Sequence, residues 1–168
     1  MAEKLQKNSI YDFNIPMIKK PEMIRLPADV KSKLRAIGAK GIAVIEFHDD
    51  FGPTLSYYTH DEDSTFIKVL KDNPSLTVEL SILAKYAKEI KMESGSLVLI
   101  EKIHDVDKFG RRKTHLVVLE IRGKQRILPR KILSYIATKL QRSGLSKSTL
   151  VRALIEKTRS RKSKIICR

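Results

Sequence analysis

The sequence predicts an α+β fold: an antiparallel sheet of two hairpins covered by helices, followed by a basic C-terminal helical pair and tail. Two stretches rich in β-branched residues, each broken by turn chemistry, predict the hairpins. Apolar residues at helical spacing lie before, between and after them. Net charge then collects almost wholly after the second hairpin. Helices layered on an antiparallel sheet are the stable arrangement for elements in this order.

Residues 1–26 read as an extended arm. Pro16 and Pro21 block regular structure. Ile10, Tyr11, Phe13, Ile15, Met17 and Ile18 give the arm apolar groups for a partner protein or for the chain's own core. The body, 27–121, opens with a short helix. Pro27 suits its first turn, Val30, Leu34 and Ile37 share a face, and Gly38 stops it.

Residues 41–60 predict a β-hairpin: GIAVIEF, a DDFGP turn, then TLSYYTH. A two-part helical region follows. Asp63 or Ser64 caps a helix reaching about Leu70, and Asn73-Pro74 interrupts it. Ser75 caps a second helix with Leu76, Leu80, Leu83, Ala87 and Ile90 as its apolar stripe. SLVLIEKIH and THLVVLEIR, joined by DVDKFGRRK, complete a second hairpin.

The C-terminal segment 122–157 predicts a helix-turn-helix. Pro129 starts one helix, with Ile132, Leu133, Ile136, Ala137 and Leu140 on its apolar face, and Gly144 ends it. Ser146 caps the next, with Leu150, Val151, Leu154 and Ile155 facing inward. These faces hold more apolar surface than one helical hairpin can hide. They must pack on the chain's own sheet or on a second copy, so a homodimer is expected. Residues 158–168 read as a basic flexible tail.

Charge carries the functional argument. Residues 122–168 hold fifteen basic side chains and one acidic one, Glu156, in a chain whose net charge is +15. The body is therefore close to neutral. A polyanion relieves repulsion among such cations and releases counterions, so nucleic acid is the expected partner. The contact residues would be Arg126, Arg130, Lys131, Lys139, Arg142, Ser146, Lys147, Ser148, Thr149, Arg152, Lys157, Arg159, Arg161, Lys162 and Lys164.

The pattern Gly144-Leu145-Ser146-Lys147-Ser148, fifteen residues after Pro129, resembles the turn of ribbon-helix-helix DNA-binding proteins. The resemblance implies that Ser146, Lys147 and Ser148 hold phosphate on backbone N–H groups. It also implies a strand over Lys124-Gln125-Arg126-Ile127-Leu128. IATKLQRSGLSKSTLVRAL equally resembles the second and third helices of winged or three-helix helix-turn-helix domains. That resemblance implies a recognition face of Lys147, Ser148, Thr149 and Arg152. DNA is thereby favoured over RNA, and a ribosome-associated protein is the alternative that needs only the basic helices and tail.

A different function class has its own resemblance. Two strands, a helix, further strands and a closing helix, with Gly52-Pro53 opening the second strand, is similar to the roadblock, longin and profilin-like adaptor folds over about 41–140. It implies an adaptor that docks a small GTPase or a membrane complex.

Catalytic chemistry is not expected. Phosphate-binding glycine loops, nucleophile elbows and paired Cys/His motifs are missing from the sequence. His48-Asp49-Asp50, His60-Asp61-Glu62-Asp63 and His104-Asp105-Val106-Asp107 sit at strand ends, where His and Asp are ordinary turn residues, so no metal or cofactor is expected. Cys167 is the single cysteine, which excludes an intrachain disulfide. No run approaches the roughly eighteen apolar residues of a membrane span, and the N-terminus lacks a secretion signal. A cytoplasmic protein is expected. Scarce Gln and Asn beside plentiful Lys, Glu and Ile are common in heat-adapted proteins.

Overall fold

The computed structural model describes residues 20–59 and 64–166, with side chains as far as Arg159. In chain order the elements are β1 (Glu22–Ile24), α1 (Ala28–Ala36), β2 (Ala39–His48), β3 (Gly52–Thr59), α2 (Thr65–Asp72), α3 (Ser75–Leu83), β4 (Glu89–Lys91), β5 (Leu97–Val106), β6 (Arg112–Ile121), α4 (Ile127–Ser143) and α5 (Lys147–Ile166). The strands make one six-stranded sheet in the order β1-β3-β2-β6-β5-β4. Both expected hairpins, β2–β3 and β5–β6, are present, and they meet through antiparallel pairing of β2 with β6.

The sheet is mixed rather than purely antiparallel. β1 lies within the expected irregular arm and pairs parallel with β3, Glu22 opposite Tyr57. β4 lies within the expected second helix and pairs with β5. That helix ends at Leu83, so Ile90 is a strand residue.

Helices cover both faces. Neighbouring residues of β6 alternate between two cores: Val117, Leu119 and Ile121 on one side, Leu116 and Val118 on the other. Burial on both faces explains why β2, β5 and β6 carry continuous apolar runs instead of alternating ones. The first face is covered by α1 through Val30 and Leu34, by α4 and by α5. The second is covered by α2 and α3 through Phe66, Ile67, Leu70 and Leu80.

Two glycines allow close approach. Gly38, at φ +85°, turns α1 into β2 and accepts the Arg122 N–H at 2.7 Å. A Cβ there would lie 2.6 Å from the Arg122 carbonyl oxygen. At Gly41 a Cβ would lie 2.9 Å from both Ser64 Oγ and Ile67 Cγ1, so α2 sits against β2 only because this residue has no side chain.

The ribbon strand expected over 124–128 is not formed. Lys124–Arg126 belong to no strand, and Ile127 and Leu128 already lie in α4. Pro129 suits the first turn of a helix and supplies no N–H, which favours starting α4 over extending a ladder. The expected tail is also shorter, because α5 continues to Ile166.

Candidate nucleic-acid interface

The geometry of the basic segment follows from where its apolar residues go. Ile132, Leu133, Ile136, Ala137 and Leu140 of α4 join Leu150, Ala153 and Leu154 of α5 in the core beneath the sheet. The helical pair therefore hides its apolar surface on the chain's own sheet, and no second copy is needed to cover it. Ser146 caps α5, accepting the Thr149 N–H at 3.2 Å and donating its hydroxyl to Thr149 Oγ1 at 2.8 Å. Both hydroxyls are occupied within the cap. Ser148 lies exposed beside them.

The cations do not form one cluster. Arg126 pairs with Glu89 at 3.2 Å. Arg130 donates to the carbonyls of Ile100 and Lys88, both at 3.0 Å, and lies 3.6 Å from Glu101. These two arginines brace the β4–β5 side of the sheet. Lys139 lies 3.7 Å from Glu156, which also accepts the Tyr135 hydroxyl at 2.8 Å. That hydrogen bond, aided by burial, raises the Tyr135 pKa. The ammonium groups of Lys139 and Lys157 lie 5.5 and 5.2 Å from the centre of the Tyr135 ring.

At the other end of α5, Lys147 lies 3.9 Å from Glu22 of β1. Arg159 reaches Asp29 of α1 at 3.3 Å, and this hydrogen bond holds the Asp29 carboxyl below its ordinary pKa. Lys131, Arg142 and Arg152 are exposed. A surface groove runs along the start of α5, with Ser146, Lys147, Val151 and Arg152 facing Glu22 and Tyr57. Arg161, Lys162 and Lys164 lie on α5, but their side chains fall outside the described residues.

Packing adds cations that the sequence reading passed over. Lys33 of α1 donates to the Thr158 carbonyl of α5 at 3.4 Å, beside Arg159. Lys31 and Arg35, one turn apart on α1, line a small cleft with Lys40. The signal was present in VKSKLR, whose three cations fall on a short helix.

The histidines have structural settings. His115 is 1% exposed. Its Nδ1 accepts the Phe47 N–H at 2.9 Å, which leaves the proton on Nε2, 3.4 Å from Asp105 Oδ2. Burial lowers the His115 pKa. Burial, with Arg112 and Lys102 nearby, also lowers that of His104. His60-Asp61-Glu62-Asp63 lies outside the described residues. Among the described residues, no group of three His, Cys, Asp or Glu could hold a metal ion, and no helix is long and apolar enough to cross a membrane.

Comparison of the chain with protein-family models, curated proteins and solved structures finds no match.

Proposed function

We propose a non-enzymatic nucleic-acid-binding protein that grips phosphate with the basic helices α4 and α5. The observation that carries this reading is the placement of charge. The segment with fifteen basic residues against one acidic residue ends in a single helix from Lys147 to Ile166, and Lys33 of α1 lies alongside. Such an array gains free energy by exchanging condensed counterions for a phosphate backbone. The GLSKS resemblance favours DNA over RNA. Arg126, Arg130, Lys139, Lys147 and Arg159 each have a carboxylate partner on the same chain. Among the described side chains this leaves Lys131, Arg142, Arg152 and Lys157, and the gripping set is these four together with Arg161, Lys162 and Lys164 of α5.

The test is a binding titration of the full chain against duplex DNA, single-stranded DNA and structured RNA at several salt concentrations. The comparison is a variant with Arg142, Arg152, Arg161, Lys162 and Lys164 changed to Gln. Deleting residues 122–168 would be a poor comparison, because it removes a large share of the core. The full chain is expected to bind at low salt. The variant should bind more weakly, with a log–log salt slope on duplex DNA reduced by about 0.9 per lost contact. Equal affinity of the two chains would overturn the proposal.

A second reading, an adaptor of roadblock or longin type, is favoured by the outward face of α3. Of the eight large apolar residues exposed among the described residues, four lie on α3 or its following turn: Val78, Ile82, Leu83 and Tyr86. Contiguous exposed apolar side chains suit a protein partner better than a phosphate backbone. An apolar partner surface lost on Ile82→Lys, with nucleic acid affinity absent from the parent, would select this reading.

A further inference from the structure

β5 spans ten residues, yet β4 pairs only with Leu97, Val98 and Leu99. Beyond that point the sheet has an open edge. Ile100 and His104 direct their backbone groups towards it, as their hydrogen bonds to Lys88, Arg130 and Gln141 show, and strand alternation gives Lys102 and Val106 the same direction. An edge of this length is a template for another strand.

Helix α4 supplies substitutes for that strand. Gln141 Oε1 accepts the His104 N–H at 2.8 Å, and Gln141 Nε2 donates to the His104 carbonyl at 2.6 Å. One side-chain amide thus makes the two bonds that a paired residue of a neighbouring strand would make. The guanidinium of Arg130 takes the Ile100 carbonyl at 3.0 Å, while the Ile100 N–H reaches Lys88. Asp105 Oδ1 accepts the Val106 N–H at 2.8 Å. Of the outward positions only Lys102 keeps both backbone groups without a hydrogen bond among the described residues.

We propose that Gln141, seconded by Arg130, is an edge guard: it occupies the strand-addition site of β5 and keeps a second copy of this chain from pairing there. The second copy is the occupant because its β5 offers the same row of backbone groups, and two such edges join antiparallel about a two-fold axis. A partner strand must displace the Gln141 amide before it can bond His104. The guard acts independently of what the basic face binds.

The test uses the full chain. Gln141→Ala removes an exposed side chain and leaves the core intact. Sedimentation across a wide concentration range should show the variant associating at concentrations on the order of tenfold or more below those at which the parent does, a difference of the size two lost hydrogen bonds can produce. Exchange of the His104 amide should speed up by a similar factor. Adding Lys102→Pro should reverse the association, because it removes an outward N–H and strand addition cannot tolerate the ring. Unchanged association of Gln141→Ala overturns the proposal. So does association that persists in the double variant, since it would then use another surface.

Discussion

Ser64 Oγ donates to Glu120 Oε1 at 2.6 Å inside the core that α2 shares with the sheet, and Glu120 Oε2 has no hydrogen-bond partner there. Ser64 also accepts the Ile67 N–H at 3.2 Å as the N-cap of α2. One hydroxyl thus joins a helix start to a fully buried acidic side chain on β6. Ser64→Ala is expected to cost about 1–2 kcal/mol, because it removes the cap and leaves the whole carboxyl unsatisfied. Glu120→Leu should leave stability unchanged or raise it by up to about 2 kcal/mol, since an apolar side chain has no orphan oxygen to bury. Urea titration of both variants checks the pair.

Gly41→Ala tests the same corner by volume. The added methyl would lie 2.9 Å from Ser64 Oγ and from Ile67 Cγ1, so α2 must shift. A loss of about 1–3 kcal/mol is expected by denaturant unfolding. Ser64→Ala should reduce that loss, because one of the two obstructing atoms is gone.

His115 makes stability depend on pH. Burial lowers its folded-state pKa below the ordinary 6.5, so the unfolded chain takes up the proton first. The folded state is then favoured fully above about pH 6.5 and loses that advantage as the pH falls towards the depressed folded value. Unfolding free energies at pH 8 and pH 5 should differ more in the parent than in His115→Gln, whose amide oxygen can still accept the Phe47 N–H.

The two faces of α3 should respond oppositely to substitution. Leu80 is 3% exposed and packs against the sheet, so Leu80→Ala is expected to cost about 2–5 kcal/mol. Ile82 is 52% exposed, and Ile82→Lys should change stability by no more than about 0.5 kcal/mol. Chemical denaturation decides both, and the second variant then serves to probe the outward face without loss of fold.

Much of the scaffold was legible in the residues. The central strands announced themselves through β-branched runs, and Ser64, Asn73-Pro74, Gly144 and Ser146 marked helix ends as expected. The two edge strands were not legible. β4 is three residues long, and Leu76, Leu80, Leu83, Ala87 and Ile90 fit helical spacing all the way through it. Its existence depends on pairing with Leu97–Leu99, a tertiary effect that local pattern does not carry. Leu83, expected inward on that stripe, is consequently 46% exposed. β1 hid behind Pro21, and among the described residues its only sheet partner is β3. Of the candidate interface, charge and helix positions could be read in advance. The ion pairs that divert four of its cations could not, because Glu22, Asp29, Glu89 and Glu101 come from other elements of the chain.

The pairing of β2 with β6 also has a temporal meaning. Ala43 bonds into the sheet opposite Val118, so the two central strands meet only after the intervening helices and strands have been made. Glu22 then waits longer still, since its ion partner Lys147 begins the final helix. A chain emerging from the ribosome cannot close its sheet until β6 is out, and its core remains incomplete until α5 arrives. Closing such distant contacts is slow, so folding on the millisecond-to-second scale of non-local topologies is the natural consequence, with the aggregation hazard concentrated in the unfinished β2–β3 hairpin.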